Sequence, residues 1–499
     1  MVLKDIRRIT KNSFGFSIGM ILTHAIGFFL LPIYTRYLTP EDYGIISIAA
    51  VVSAIFSIIC IFGLGNAISR FFFDYCNDPY ELREYLSTIC ITVLSVSFCL
   101  TIILYLFGEP FFAIFFPGVP LYPYIGLALW TTFFGIPLNF AYYILRVRER
   151  SFLYSFLNIS KFIITTILII IFVVIYLEGA LGSLKGQLIA ALVFFIVAFI
   201  LLRNDLGLCF NFSKLKESFF FGLPIVPHEL ASWLSSMVDR IFLTQYTTLA
   251  TVGLYSLGYQ FGAILSFITT AINMAWVPYF FSTAKELGER ARPTFALLTS
   301  YYMMFILFVA LGIILFAEDV IYIMTTPEYY GSVEVVPIIV LSFVFGGMYY
   351  MVVNQLFFLK RTAYVMYSTV IAAIINVCLN IILIPLYGMI GAGLATAVSY
   401  GCSFIFVYYF SNKLFPISYE YGRIFKICLL ATLIYVFSLF IPDWGMIVKF
   451  SIKSLLIGAY LIGLFICGIV TQEEIQAGKL KLLEIINLRR KSRESGGAS

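Results

Sequence analysis

The sequence predicts an all-α protein that crosses a membrane many times, and two observations support this prediction. Of the 499 residues, 61% are hydrophobic and only 12% are charged, about half the charged fraction of a typical soluble domain. Apolar runs such as FIITTILIIIFVVIY, residues 162–176, lack the alternation of a membrane-spanning β-strand. Because so few charges cannot cover a water-exposed surface, lipid is expected to surround most of the chain.

The length of the apolar runs predicts fourteen transmembrane helices. A spanning helix requires about 20 consecutive, mostly apolar residues. Windows of this kind begin near residues 13, 44, 86, 120, 155, 181, 218, 250, 294, 332, 363, 389, 421 and 447. The first follows a basic segment and lacks a small-residue cleavage site, so we interpret it as a retained helix rather than a signal peptide.

The positive residues indicate the orientation, because cytoplasmic connectors carry an excess of Lys and Arg. With the amino terminus inside, most of the 32 Lys and Arg residues fall on the cytoplasmic side. Those at the opposite face are Arg36, Lys185, Lys449 and Lys453. We therefore expect both termini to be cytoplasmic, with a basic segment at residues 1–12 and a basic tail at residues 471–499.

An internal repeat accompanies these helices. TRYLTPEDYGIISIA, residues 35–49, matches TQYTTLATVGLYSLG, residues 244–258, at an offset of 209. The same offset aligns EGALGSLKG with YGMIGAGLA, far along the chain. The pairs that it equates include Gly44 with Gly253, Ser47 with Ser256, Gly179 with Gly388, and Gly182 with Gly391. One offset shared by two distant regions indicates a duplication.

The duplication predicts the domain organisation. Six helices separate the copies, so both enter the membrane in the same direction, as parallel repeats do. We predict a first six-helix lobe at residues 13–208, a second at 209–412, and a terminal helix pair at 413–470 outside the repeat. The nine cysteines occur singly, without CxxC pairs, so neither a metal site nor a disulfide framework is indicated. No cofactor or nucleic-acid partner is expected.

Several segments resemble a known family. These are LPIYTRYLTPEDYGIISIA, AISRFFF, FGLPIVPHELASWLSSMVDRIFL, VGLYSLGYQFGAI and WVPYFF. Together they resemble polysaccharide-lipid flippases, the O-antigen and capsule-type exporters of the multidrug/oligosaccharidyl-lipid/polysaccharide (MOP) superfamily, over residues from about 10 to 470. The resemblance implies that an undecaprenyl-pyrophosphate-linked oligosaccharide is moved across a bacterial inner membrane. It further implies two lobes around a cavity that opens alternately to each side, with polysaccharide polymerases or ligases as partners.

Such a cargo requires cations for its pyrophosphate, and charges inside a membrane are costly enough to suggest a function. The candidates for the substrate cavity are Arg36, Arg70, Arg146, Lys161 and Arg240. The equivalent position in the other repeat is uncharged for Arg36, Arg70, Lys161 and Arg240. Guanidinium groups bind phosphate bidentately. The alternatives are that Arg70 and Arg146 are orientation charges at the headgroups and that Lys161, about 15 Å deeper than Arg150, snorkels.

The seventh helix carries the predicted hinge and coupling groups. Pro224 and Pro227 interrupt helical hydrogen bonding, which predicts a kink. His228 and Glu229 follow near mid-membrane and, with Asp239, are candidates for coupling transport to H⁺ or Na⁺. The alternative is a carboxyl group held neutral or paired only for packing. Asp239 and Arg240 are adjacent, so we expect them to point in different directions. They then need not pair with each other, and bonds to other helices near the outer gate are the alternative.

The sequence is also compatible with two other functions. A multidrug or cation antiporter of the same superfamily would have the same fold but would favour carboxylates in its cavity. The unmatched cations outnumber the unmatched acids, Glu229 and Asp239, which favours an anionic cargo. A membrane polysaccharide polymerase or glycosyltransferase would require a large extramembrane loop. Glu318 and Asp319 are interpreted as charges in a short outer loop.

Overall fold

The structure, a computed structural model, describes residues 27–442 and 445–469. Most of the first predicted helix and both basic terminal segments lie outside these residues. In chain order the α-helices are α1 Leu31–Tyr37, α2 Pro40–Ile61, α3 Leu64–Tyr75, α4 Pro79–Phe107, α5 Glu109–Phe115, α6 Gly126–Val147, α7 Ser151–Ile170, α8 Gly179–Leu202, α9 Phe212–Gly222, α10 Val226–Tyr246, α11 Leu249–Leu287, α12 Arg292–Met324, α13 Val336–Phe358, α14 Thr362–Leu414, α15 Tyr421–Ser438 and α16 Met446–Ile466. Short 3₁₀ segments lie at Leu223–Ile225, Gly288–Ala291 and Pro327–Val335, and π-helical turns lie at Leu121–Ile125 and Ile171–Ile175.

The helices confirm an all-α, multi-pass membrane protein. Ten segments within the described residues are long and apolar enough to cross a membrane. Two of them are long enough for two spans each. Leu249–Met324 contains α11 and α12, and Thr362–Leu414 bends at Gly388, where φ is +55° and ψ is −130°. The count of fourteen stays a prediction, because the first window is largely outside the described residues.

Equivalent residues of the repeat touch where α2 crosses α11. Gly44 packs directly on the backbone around Gly253, and the Ser47 and Ser256 hydroxyl oxygens are 2.7 Å apart. Each pair is separated by 209 positions. Equivalent residues of two related copies meet each other only where the axis relating the copies passes. The contacts therefore confirm the duplication and place its axis at this crossing.

The second repeated glycine pair has the same backbone role in both copies. Gly179 and Gly388 both have a φ of +55°, a left-handed conformation that favours glycine. Three residues later, Gly182 and Gly391 each pack closely against the backbone of a preceding segment. The sequence offset thus corresponds to a repeated helix–turn–helix geometry.

The described chain divides into two structural units. The first comprises residues 27–275 and 320–414. Its main core consists of buried side chains from α2, α3, α4 and α6, joined by residues of α10, α11, α13 and α14. All the predicted site residues belong to this unit. The lobe boundaries at residues 208 and 412 stay a prediction.

The second unit comprises residues 276–319, 415–442 and 445–469. Its core joins Leu311 and Leu315 of α12 to side chains of α15 and α16. Glu318 and Asp319 lie inside α12, so the interpretation as loop charges is wrong. Lys453 of α16 is 2.6 Å from an Asp319 carboxylate oxygen and 3.1 Å from one of Glu318. The low-dielectric surroundings of these helices favour pairing over solvation.

Candidate functional site

Two helix interruptions face each other in the first unit. Between α9 and α10 the chain forms the 3₁₀ segment that contains Pro224, and Pro227 occupies the first turn of α10. Proline lacks the N–H that would continue the helical ladder. Between α2 and α3, Gly63 adopts a φ of +72°, and its Cα lies so close to Gly222 that an added Cβ would be 2.4 Å from the Gly222 carbonyl oxygen. Both breaks therefore occur at one backbone contact.

Glu229 lies about two turns beyond this contact and is bonded to the α2–α3 side. The Asn66 side-chain amide donates a hydrogen bond of 3.0 Å to its carboxylate. Glu229 also interacts electrostatically with Tyr143 of α6. The Arg146 guanidinium lies 5.9 Å from the Tyr143 ring centroid and 5.8 Å from that of Tyr154. An acid and a base thus lie near one tyrosine, and they form no direct ion pair with each other.

His228 is exposed, and it does not join Glu229 in this arrangement. The two adjacent residues occupy different faces of α10, as successive residues on a helix do. Their predicted joint role in ion coupling therefore gains no geometric support, and Glu229 with Asn66 is the better-placed group.

Asp239 and Arg240 form the most buried charged group of α10, with exposed fractions of 2% and 7%. The Arg240 Nη1 donates to an Asp239 carboxylate oxygen at 3.0 Å and to the Ser236 carbonyl at 3.1 Å. The other Asp239 oxygen accepts from the Tyr255 hydroxyl. The guanidinium also lies 4.6 Å from the Tyr259 ring centroid. We call Asp239, Arg240, Tyr255 and Tyr259 the α10–α11 cluster.

The expectation that Asp239 and Arg240 point apart is wrong. Asp239 folds back to accept from the Arg240 backbone N–H at 2.9 Å, and the long Arg240 side chain bends toward the same carboxylate. A buried ion left alone pays a large desolvation cost, which pairing offsets. The predicted bond to another helix is also present, through Tyr255. Arg240 is thus already neutralised in this conformation.

Lys161 has a different environment. It lies midway along α7, is partly buried, and has no ion pair or hydrogen bond to any of the residues that the structure describes. A lysine in such a position is costly unless an anion or water approaches it. Of the five predicted cations, it best combines burial with the absence of a described carboxylate neighbour.

The remaining cations lie at the surface. Arg36 is exposed in the last turn of α1. Arg70 is also exposed, and its Nη1 is 2.8 Å from both carboxylate oxygens of Asp74, one turn further along α3. An exposed ion pair of this kind is weak, so an incoming phosphate can replace it at little cost.

The structure therefore joins some predicted site residues and separates others. It brings Asp239 to Arg240 and places Glu229 and Arg146 near Tyr143. Sequence reasoning did not identify Tyr255 or Tyr259, because nothing in a single sequence distinguishes them from boundary tyrosines. Among the described residues there is no group of three or more His, Cys, Asp or Glu side chains that suits a metal ion.

Comparison with known proteins gives relatives that match long stretches of this chain. A protein of the Lsg locus of Haemophilus influenzae is 24% identical over 406 residues, which are 77% of this chain and 95% of that protein. A Haloferax volcanii protein named "Probable low-salt glycan biosynthesis flippase Agl15" is 23% identical over 216 residues, 43% of this chain and 44% of its own.

Solved transporters share the fold. The lipid II flippase MurJ, in an inward closed conformation, superposes with a TM-score of 0.72 at 18% identity, covering 90% of this chain and 97% of its own. An inward-facing multidrug-resistance MATE family transporter of the MOP superfamily gives a TM-score of 0.61 at 15% identity, covering 77% and 93%.

Family models match both repeats. The MatE model matches residues 224–382. The model described as "Polysaccharide biosynthesis protein" matches residues 9–284, more than half of the chain. The chain therefore belongs to the polysaccharide biosynthesis protein family and has the fold of MOP-superfamily transporters.

Proposed function

We propose that the protein is a flippase, not an enzyme, and that it moves an undecaprenyl-pyrophosphate-linked oligosaccharide across a bacterial inner membrane by alternating access. The family match supports a role in polysaccharide biosynthesis. The MurJ fold and the relative named as a glycan biosynthesis flippase support a lipid-linked cargo. In this proposal both termini are cytoplasmic. Polysaccharide polymerases or ligases are the partners that act on the oligosaccharide after it has crossed the membrane.

The environment of Lys161 is the observation that most supports the proposal. A partly buried lysine without a described carboxylate neighbour is suited to an anion that is present for only part of the transport cycle. We assign Lys161 to the pyrophosphate during transfer, and Arg70 and Arg146 to its first capture at the membrane surface. Arg36 is assigned to release on the opposite side.

Arg240 gives a route to coupling through Asp239. Protonation of the Asp239 carboxylate would remove the charge that now neutralises the guanidinium, leaving Arg240 free to attract an anion. Proton binding and pyrophosphate binding would then favour each other. Glu229, held by Asn66 beside the paired helix breaks, is the second candidate for this coupling, with Pro224 and Pro227 as the hinge.

A complementation experiment tests the proposal. A host that lacks the gene is expected to accumulate the lipid-linked oligosaccharide in the cytoplasmic leaflet and to lose the surface glycan. Wild-type protein restores export. Lys161→Gln is expected to reduce export at least about tenfold, since removing a charged hydrogen bond to phosphate costs about 1.5–3 kcal/mol. Lys161→Arg retains most activity.

Lys185 provides the matched control, because it is a lysine of the neighbouring α8 whose partner is Glu178 at 2.9 Å. Lys185→Gln should leave export unchanged. Equal membrane levels of all variants, measured by immunoblot, exclude loss of protein. Normal export with Lys161→Gln would contradict the assigned role, and normal surface glycan in the deletion host would contradict the function itself.

A second candidate is a multidrug or cation antiporter, which the MatE match over residues 224–382 favours. In that case the partly buried Glu229 would bind the cationic drug. The deletion host would then become sensitive to cationic dyes while its surface glycan stayed normal.

A further inference from the structure

An apolar cleft lies in the first unit, and none of the predicted site residues lines it. Its volume is about 400 Å³, within the range of small-molecule sites. The walls come from the end of α2, the start of α3, the middle of α4 and one face of α9. Phe62 and Phe219 stack across it with ring centroids 5.2 Å apart, next to the contact between the two helix breaks.

The surroundings of the cleft point to an apolar occupant. Ile59 and Val96, two of its lining residues, have exposed fractions of 43% and 44%, and in a multi-pass membrane protein such side chains face lipid. The lining offers water little to bond with, since the Thr92 hydroxyl already donates to the Thr88 carbonyl at 2.8 Å. A hydrocarbon chain from the bilayer is therefore the suitable occupant.

Lys216 supplies the second recognition element. It is exposed at the rim of the cleft and has no carboxylate partner among the described residues. Lys214, two residues earlier, is 2.8 Å from Glu84 and 3.2 Å from Glu81, so its charge is neutralised. The rim therefore carries one uncompensated positive charge beside an apolar slot.

We propose that this cleft binds an acyl chain of an anionic phospholipid whose phosphate pairs with Lys216. One apolar slot with one cation matches a single chain below a charged headgroup. A polyprenyl cargo chain has many more carbon atoms than one acyl chain, so a cleft of about 400 Å³ fits it less well. Because the occupant contacts Phe62 and Phe219, its binding favours the conformation in which the Gly63–Gly222 contact is made.

Native mass spectrometry of the full-length protein tests this site. The purified protein is titrated with phosphatidylglycerol and, separately, with phosphatidylcholine. The wild type is expected to bind one phosphatidylglycerol more tightly than phosphatidylcholine. Lys216→Gln should weaken phosphatidylglycerol binding about fivefold, the factor that corresponds to one lysine near an anionic headgroup. Val96→Trp, which fills the cleft, should abolish this binding for both lipids.

Two variants serve as matched controls. Lys413→Gln removes another exposed lysine, and Ile103→Trp enlarges another lipid-facing side chain of α4, with an exposed fraction of 52%. Both should bind like the wild type. Three outcomes would overturn the proposal: equal affinities of the wild type for the two lipids, an equal loss in Lys413→Gln, or unchanged binding in Val96→Trp. Recovery of a polyprenyl phosphate instead of phospholipid from the purified wild type would also overturn it, without bearing on the transport activity.

Discussion

Gly44→Ala is expected to destabilise the protein, because its methyl group would meet backbone rather than a movable side chain. A Cβ at Gly44 would lie 2.1 Å from the Leu249 carbonyl oxygen, and one at Gly253 would lie 1.9 Å from the Pro40 carbonyl oxygen. Ordinary contacts between such atoms are at least about 3.3 Å. The crossing of α2 and α11 must therefore open by about 1.2–1.4 Å to accept either methyl group.

The size of the effect follows from two opposing contributions. Overpacking of a well-packed interior costs about 1–3 kcal/mol, and a backbone obstacle favours the upper end. Alanine in a helix gains about 1 kcal/mol over glycine. The net loss in unfolding free energy is expected to be about 2 kcal/mol. Gly135→Ala in α6 is the matched control, since nothing lies within 4 Å of its added Cβ, and it should instead stabilise the protein by up to about 1 kcal/mol.

The measurement is an unfolding titration of the purified variants in mixed micelles. The double variant Gly44→Ala with Gly253→Ala provides a further test, because one opening of the crossing accommodates both methyl groups. Its loss should be smaller than the sum of the single losses by at least about 0.5 kcal/mol. If Gly44→Ala were as stable as Gly135→Ala, the helices would not touch at the repeat axis. Strict additivity would mean that the two glycines do not share one crossing.

Three other perturbations have expected outcomes. Asp239→Asn should lower the unfolding free energy by about 3–5 kcal/mol by leaving Arg240 buried without its counter-charge, and Arg240→Gln in the same chain should recover part of that loss in the same titration. Lys453→Met should lower the unfolding free energy by a similar amount, because it breaks the ion pairs of Lys453 in the second unit. A lower midpoint of thermal unfolding would show this loss. Burial lowers the pKa of Lys214, but hydrogen bonds to Glu84 and Glu81 more than offset this, so the pKa is raised above its ordinary value. The stability that Lys214 contributes should therefore be complete at neutral pH and be lost only as the pH rises through that raised pKa. The unfolding free energies of the wild type and Lys214→Met should therefore differ most at pH 7, and this difference should shrink as the pH becomes strongly alkaline.

Membrane insertion and the duplication were readable from composition and spacing. The bilayer imposes a minimum length on each apolar run, so a linear scan locates the helices within a few residues. For example, the windows near 250 and 421 correspond to helices that begin at Leu249 and Tyr421. The offset of 209 survives in the chain as Gly44/Gly253 and Ser47/Ser256, although sequence comparison does not reveal that these pairs touch each other.

The candidate site was only partly predictable. The helix interruption at Pro224 could be predicted, because proline lacks the backbone N–H that would bond to the carbonyl one turn earlier. The ion pair of Asp239 with Arg240 was missed because helical spacing describes where Cβ atoms point, whereas the long arginine side chain reaches back along its own helix. Tyr255 was missed because its role depends on how α11 packs against α10.

The order of residues alone defines which segments enter the bilayer and that the chain is built from two related copies, because both properties depend on local composition and on spacing along the chain. Packing of the helices establishes which charges are neutralised. Arg240 and Lys161 look equivalent in the sequence as intramembrane cations. In the structure Asp239 lies beside the Arg240 guanidinium, whereas no described carboxylate lies beside the Lys161 amine. Neutralisation depends on distances of a few ångströms between side chains in a low-dielectric interior, and those distances exist only after the helices have assembled.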